Sequence, residues 1–152
     1  MEHCIMNAKK DEKGFSDWLR SYDVDVIDRS DTKIDFLCCF DDLLVTVDVK
    51  KLTYKDCIIL ELGLYHPDDT LGWLWNSPAE LICFVGYNLA VFLKLKEARD
   101  WYWWNQNNYY VHNNQPTKDY RTGNVWQSSF VKIPVNDIPE HIIKVYNYEH
   151  SA

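Results

Sequence analysis

The chain lacks the patterns that mark zinc sites, secretion signals and membrane spans. Its five cysteines form no Cys-x-x-Cys pair, and its five histidines are scattered without the spacing of metal ligands, which argues against a zinc site. The N-terminal sequence MEHCIMNAKK contains no apolar run, and the longest apolar stretch, residues 81–95, is interrupted by Gly86, Tyr87 and Asn88. We therefore expect no signal peptide, no bilayer-spanning helix and no membrane partner. These absences predict a cytoplasmic protein with reduced cysteines.

The chain is also short of positive charge. Lysine and arginine number 16 against 23 aspartates and glutamates, which gives a formal net charge of -7 and a pI of about 5.1. That sign opposes binding of nucleic acid through phosphate neutralisation alone. Hydrophobic residues make up 47% of the 152 residues and aromatic residues 15%. This composition and length predict a single domain, residues 1–152, with a substantial hydrophobic core.

The most informative stretch, residues 34–62, reads IDFLCCFDDLLVTVDVKKLTYKDCIILEL and predicts three short strands. Its apolar runs are rich in β-branched and aromatic residues, and polar segments separate them. Such a pattern is typical of an antiparallel meander. The predicted strands cover residues 34–40, 43–49 and 57–62.

Three charged side chains of this stretch are expected to meet. Strand periodicity places Asp48 and Lys50 on one face of the second strand, and a hairpin would bring Asp35 of the first strand close to them. Two carboxylates that converge on one point repel each other unless a cation lies between them. A hard divalent ion such as Mg²⁺ takes oxygen ligands and retains waters that can be activated. The lysine would then assist the attacking water or stabilise charge on a phosphoryl group.

Asp35, followed on the next strand by Asp48-Val49-Lys50, resembles the acid and (D/E)xK core of the PD-(D/E)xK nuclease superfamily. An amphipathic segment precedes the first acid, as the opening helix of the superfamily does, and the order of elements after Gly72 is similar to that of small phage-encoded members. The resemblance implies an α/β fold with a central mixed β-sheet flanked by helices, a restriction-endonuclease-like core. It also implies that Asp35, Asp48 and Lys50 are catalytic, that Asp35 and Asp48 ligate Mg²⁺ or Mn²⁺, and that the substrate is a phosphodiester bond of DNA.

Two further acids are candidates for the same site. Glu61 interrupts the third apolar run and is either a third metal ligand or an edge-strand charge that blocks pairing with another sheet. Glu12 lies near the first turn of a predicted helix, residues 8–22, and is either an additional acid or an ordinary partner of the helix dipole. The pattern of Asp48 and Lys50 also fits the solvated face of an ordinary sheet.

The remainder of the chain alternates apolar runs with turn-rich segments. The turn at residues 86–88 predicts a hairpin that leads into a helix, and Asp137 with Pro139 predicts the start of a final helix. The predicted elements are strands at 80–85, 89–95 and 125–133, helices at 96–105 and 137–146, and loops at 65–78 and 111–124.

The first of these helices ends in Trp101-Tyr102-Trp103-Trp104. Successive aromatic residues point all around a helix, so some are expected to be buried and others exposed. Exposed tryptophans fit either a protein interface or stacking on unpaired bases. We favour an interface, either a homodimer or a contact with a host protein, because Trp and Tyr are the usual anchors of such contacts.

The acidic charge and the tryptophan tract also support a non-catalytic alternative to the nuclease. In that alternative the same scaffold is a viral protein that binds and inhibits a host defence or nucleic-acid-processing protein, because an anionic surface can occupy a basic groove. Trp101, Trp103 and Trp104 would be its partner-binding residues. For both the nuclease and the inhibitor, the resemblance to phage proteins implies that the protein is located in the cytoplasm of an infected host cell.

Overall fold

The structure, a computed structural model, describes residues 17, 19–20, 25–28, 36–40, 43–65, 70–118 and 120–147. Asp35 and Glu12 lie outside these residues, as does most of the predicted first helix. The described strands are β1 (Asp25–Asp28), β2 (Phe36–Phe40), β3 (Leu43–Lys51), β4 (Cys57–Tyr65), β5 (Thr70–Leu71), β6 (Leu81–Gly86), β7 (Leu89–Lys94), β8 (Val111–Asn113), β9 (Thr117–Lys118), β10 (Val125–Pro134) and β11 (Ile143–Asn147). The described helices are α1 (Trp73–Asn76), α2 (Leu95–Asn105) and the 3₁₀ turns Gln106–Asn108 and Val135–Asp137.

The strands form two sheets. The first has six strands in the order β1-β2-β3-β6-β7-β11. Its neighbouring strands are antiparallel except β3 and β6, which run parallel. The second sheet has the order β5-β4-β10-β8, and β9 pairs with β10. The chain is therefore a mixed α/β protein with a mixed sheet and few helices. This confirms the predicted α/β class and the predicted mixed sheet.

The main hydrophobic cluster lies where the two sheets meet. Helix α2 adds Leu95, Ala98 and Tyr102 to it, and α1 adds the fully buried Leu74. The strands contribute alternate apolar residues, as strand geometry requires. These are chiefly Ile82, Phe84, Val91 and Leu93 of the first sheet and Ile58, Leu60, Val131 and Ile133 of the second.

A second, smaller cluster covers the opposite face of the six-stranded sheet. It contains Phe36, Val47 and Cys83 together with Leu19. Leu19 is a described residue of the predicted first helix; it is helical and buried. The expectation that this helix packs on the sheet is confirmed at that residue.

The predicted hairpins are confirmed, and β4 forms where the third strand of the meander is predicted, but the predicted pairing of that strand with β3 is wrong. Strands β2 and β3 pair antiparallel with Phe36 opposite Val47, whereas β4 leaves β3 and pairs with β10 in the other sheet. The position beside β3 is taken by β6, in parallel register. The reason is non-local, because in the second sheet β4 buries Ile58 and Leu60 in the main cluster.

The predicted final helix is also wrong. Only the 3₁₀ turn Val135–Asp137 is helical there, and Ile143–Asn147 forms β11, which pairs antiparallel with β7. The segment IKVYN is rich in β-branched and aromatic residues, which prefer strands. Strand β7 provides this segment with a partner for pairing at the edge of the sheet. Among the described helices, none combines the length and apolar character that crossing a bilayer would require.

Candidate functional site

Strand β3 separates apolar and charged side chains onto its two faces. Val45, Val47 and Val49 pack in the second cluster. Asp48 and Lys50 lie on the other face, where the residues opposite them on β6 are Ile82 and Phe84 of the main cluster. The prediction that Asp48 and Lys50 share a face therefore agrees with the alternation of side chains along β3.

Asp48 is a buried carboxylate with a hydroxyl partner. Its side chain is 6% exposed. The Ser77 hydroxyl donates a hydrogen bond to Asp48 Oδ2 at 3.3 Å, and the backbone N–H of Ala79 donates to Ser77 Oγ at 3.2 Å. Buried polar groups require such partners. Ser77 thus holds the orientation of the Asp48 carboxylate.

Ser77 is itself held in place by Arg99 of α2. The Arg99 Nη2 donates to the Ser77 carbonyl at 2.6 Å, and its Nε donates to the Leu74 carbonyl. Both acceptors belong to the C-terminal end of α1, where helical carbonyls have no partner within the helix. Hydrogen bonds from a charged donor are stronger than neutral ones. Arg99 therefore fixes the segment that contacts Asp48.

Lys50 is held over an aromatic ring. Its Nζ lies 5.9 Å from the centroid of the Trp73 ring, near the outer limit of a cation–π contact. Trp73 in turn packs against Phe84, with 5.9 Å between ring centroids. The ammonium group of Lys50 is therefore kept on the same face as Asp48, at the side of α1.

Asp48 and Lys50 share a face of β3, whereas Glu61 lies elsewhere. Glu61 lies in the second sheet, opposite Phe130 of β10, on the other face of β4 from Ile58 and Leu60, which belong to the core. Asp35 is outside the described residues. The next residue in the sequence, Phe36, is opposite Val47 of β3. Among the residues that the structure describes, no group of three or more His, Cys, Asp or Glu side chains could hold a metal ion.

Sequence reasoning did not single out Ser77 or Arg99. Ser77 lies in a turn-rich segment beside a proline, and Arg99 is one charged residue among several on a helix. Their importance depends on contacts between residues 22 or 29 positions apart in the chain. No local pattern signals such contacts.

The buried thiols provide no alternative site. Cys38 and Cys83 are free and buried in the second cluster. Burial raises the pKa of Cys38 to about 11, and burial raises the pKa of Cys83 well above its usual value. Both therefore remain protonated at neutral pH, and a thiol is a poor nucleophile.

The aromatic tract of α2 divides as expected into buried and exposed residues. Tyr102 is buried, and Trp101 is half-buried, 5.9 Å from the Tyr109 ring. Trp103 is 59% exposed and Trp104 is 83% exposed. Of the three tryptophans predicted to bind a partner, Trp103 and Trp104 are thus the ones that the fold presents on the surface.

No family model matches the chain, and no curated protein or solved structure matches it. The functional assignment therefore rests on the residues of the chain itself.

Proposed function

We propose that the chain is a metal-dependent nuclease that hydrolyses phosphodiester bonds of DNA, with a restriction-endonuclease-like core. The observation that carries the proposal is that Asp48 and Lys50 share one face of β3 in a mixed sheet, beside the antiparallel strand β2. A carboxylate and an ammonium group on adjacent same-face positions can act on one phosphoryl group. The proposal requires that Asp35 approach Asp48.

The carboxylates of Asp48 and Asp35 would form the donor set for a hard divalent ion. Carboxylate oxygens are the ligands that Mg²⁺ and Mn²⁺ prefer, and Asp48 with Asp35 would supply them. Ligating carboxylates are commonly oriented by a second hydrogen-bonding group, and the Ser77 hydroxyl occupies that position on Asp48. Glu61 and Glu12 are not needed in this assignment.

Each group then has a distinct role. The bound ion would activate a water for attack and offset charge on the phosphate. Lys50 would stabilise the negative charge that develops on the phosphoryl oxygens, and its ammonium group lies near the Trp73 ring. Ser77 donates a hydrogen bond to Asp48, and Arg99 anchors the Ser77 carbonyl, so the two together would help to orient the Asp48 carboxylate.

A cleavage assay tests the proposal. The full chain is incubated with linear, branched and single-stranded DNA in MgCl₂, in MnCl₂ and in EDTA. Asp48→Asn and Lys50→Ala should each reduce cleavage about 100-fold. Lys51→Ala is the matched control, because Lys51 is the next lysine along β3 and is exposed.

Calorimetric titration with Mn²⁺ provides a readout that does not depend on the choice of DNA. Asp48→Asn should weaken Mn²⁺ binding, whereas Lys50→Ala should not. Cleavage that persists in EDTA, or that survives Asp48→Asn in a folded protein, would show that the site is not the catalytic one.

A second candidate function is a non-catalytic protein that binds and inhibits a host defence or nucleic-acid-processing protein. The exposure of Trp103 and Trp104 favours it, as does the burial of Asp48, whose carboxylate accepts a hydrogen bond from Ser77. Such a protein would neither bind Mn²⁺ nor cleave DNA, and Trp103→Ala or Trp104→Ala would abolish partner binding. Analytical ultracentrifugation would separate a homodimer from a contact with another protein.

A further inference from the structure

The exposed face of α2 combines an aromatic ring with two carboxylates. Glu97, Asp100 and Trp104 are all exposed, and Trp104 is 83% exposed. Positions i, i+3 and i+7 of a helix lie on one stripe, so Asp100 lies about one turn and Glu97 about two turns before Trp104 on the same side of the helix. Lys96 is also exposed; it is four residues before Asp100 and seven before Trp103, so it borders the stripe on its Trp103 side.

The end of the helix adds to the negative potential of this stripe. The last turn of α2 contains no basic residue. The carbonyls of Trp101 and Trp103 instead accept hydrogen bonds from the neutral amides of Asn105 and Gln106, at 2.7 Å and 3.0 Å. The partial negative charge of a helix C-terminus is therefore not offset by a local cation.

Trp103 is a second, more firmly positioned ring beside the stripe. Its ring meets the edge of Trp75 with centroids 6.3 Å apart. Trp75 packs in turn against the main cluster and the buried Tyr102, with 6.0 Å between those ring centroids. Trp103 is thus fixed by packing, whereas Trp104 projects away from the core.

We propose that the stripe of Glu97, Asp100 and Trp104 binds arginine side chains of a basic protein surface. A guanidinium group can stack on an indole ring and donate paired hydrogen bonds to a carboxylate, so it satisfies both parts of the stripe at once. The phosphates of a nucleic acid would be repelled by the same carboxylates and by the net charge of -7. The stripe lies on the outer face of α2 and does not include Asp48 or Lys50, so the inference holds whether or not the chain cleaves DNA.

A fluorescein-labelled arginine homopeptide tests this surface, with fluorescence anisotropy of the peptide as the readout. Trp104→Ala should weaken binding about fivefold, and binding should decrease between about 50 mM and about 300 mM NaCl. Trp104→Phe keeps an aromatic face and should retain most of the affinity. Tyr120→Ala is the control, because Tyr120 is 94% exposed but lies outside α2.

A charge-matched pair of variants separates this surface from the general acidity of the chain. Glu97→Gln with Asp100→Asn removes two charges from the stripe, and Asp56→Asn with Glu140→Gln removes two exposed charges elsewhere. The first pair should weaken peptide binding and the second should leave it nearly unchanged. Equal effects of the two pairs, or no effect of Trp104→Ala, would overturn the proposal. Binding of a thymidine oligonucleotide that depends on Trp104 would also overturn it, in favour of base stacking.

Discussion

Replacing Arg99 by methionine should destabilise the fold by releasing α1 from α2. The substitution removes two hydrogen bonds from a charged donor, to the carbonyls of Leu74 and Ser77. Each such bond contributes roughly 1.5 to 3 kcal/mol when its loss leaves a buried acceptor unsatisfied. Arg99 is half-buried, so solvent will offset part of that cost, and we expect a total loss of about 3 kcal/mol in the free energy of unfolding.

Urea denaturation followed by tryptophan fluorescence and near-UV circular dichroism measures this loss. For a chain of this length it corresponds to a decrease in Tm of roughly 6 to 12 °C. Arg99→Lys keeps the charge but lacks the planar fork, so it should recover less than half of the loss. Lys96→Met is the control, because it removes one positive charge from the exposed side of the same helix. If Arg99→Met and Lys96→Met cost the same, the contacts of Arg99 do not fix the Ser77 segment.

Three further predictions concern a glycine, a turn and a tyrosine. Gly72→Ala should cost about 1 to 3 kcal/mol in urea denaturation, because the added Cβ would lie 2.4 Å from the Glu61 carbonyl oxygen; a wild-type midpoint would contradict this. Asn88→Ala should cost about 1 kcal/mol in the same assay, since Asn88 has a φ of 56°, and Asn88→Gly should not. Tyr109 donates a hydrogen bond to Asp137 at 2.9 Å, and burial with that bond raises the pKa of Tyr109 from 10.0 to about 12. Because the pKa of Tyr109 is higher in the native state than in the unfolded state, the protonated phenol stabilises the fold. This stabilisation is complete below pH 10 and is lost between about pH 10 and 12. Tyr109→Phe should therefore remove that part of the decrease in Tm at alkaline pH.

The features that the sequence predicted correctly are local. The alternation of Val45, Val47 and Val49 with polar and charged residues predicts that Asp48 and Lys50 share a face, and this prediction does not depend on which strand pairs with β3. The hairpin of β6 and β7 was predicted because a turn lies between two apolar runs, and its central residues Tyr87 and Asn88 have the positive φ angles of such a turn. A pattern that repeats every two residues is sufficient for the first inference, and a turn between two apolar runs is sufficient for the second.

The features that the sequence does not predict depend on contacts between residues that are distant in the chain. An apolar run predicts a strand but not which strand pairs with it, so β4 was assigned to β3 although its partner is β10. The segment before β11 contains Pro139 and a capping acid, which favour a helix locally, but pairing with β7 decides the outcome. Ser77 and Arg99 are likewise defined by contacts across the fold, which residue spacing does not reveal.

Helix α2 takes part in both proposed activities through opposite faces. On its inner side Arg99 holds the segment that orients Asp48, and on its outer side Glu97, Asp100 and Trp104 form the stripe proposed to bind arginine. If the helix only provides a rigid support, Trp104→Ala should weaken peptide binding about fivefold and leave Mn²⁺ binding unchanged. Asp48→Asn should weaken Mn²⁺ binding and leave peptide binding unchanged. The contact of Trp103 with Trp75 of α1 is the route by which the two faces would instead be coupled. In that case saturating arginine peptide would change the affinity for Mn²⁺, and Trp75→Leu would remove the change while each ligand still bound alone.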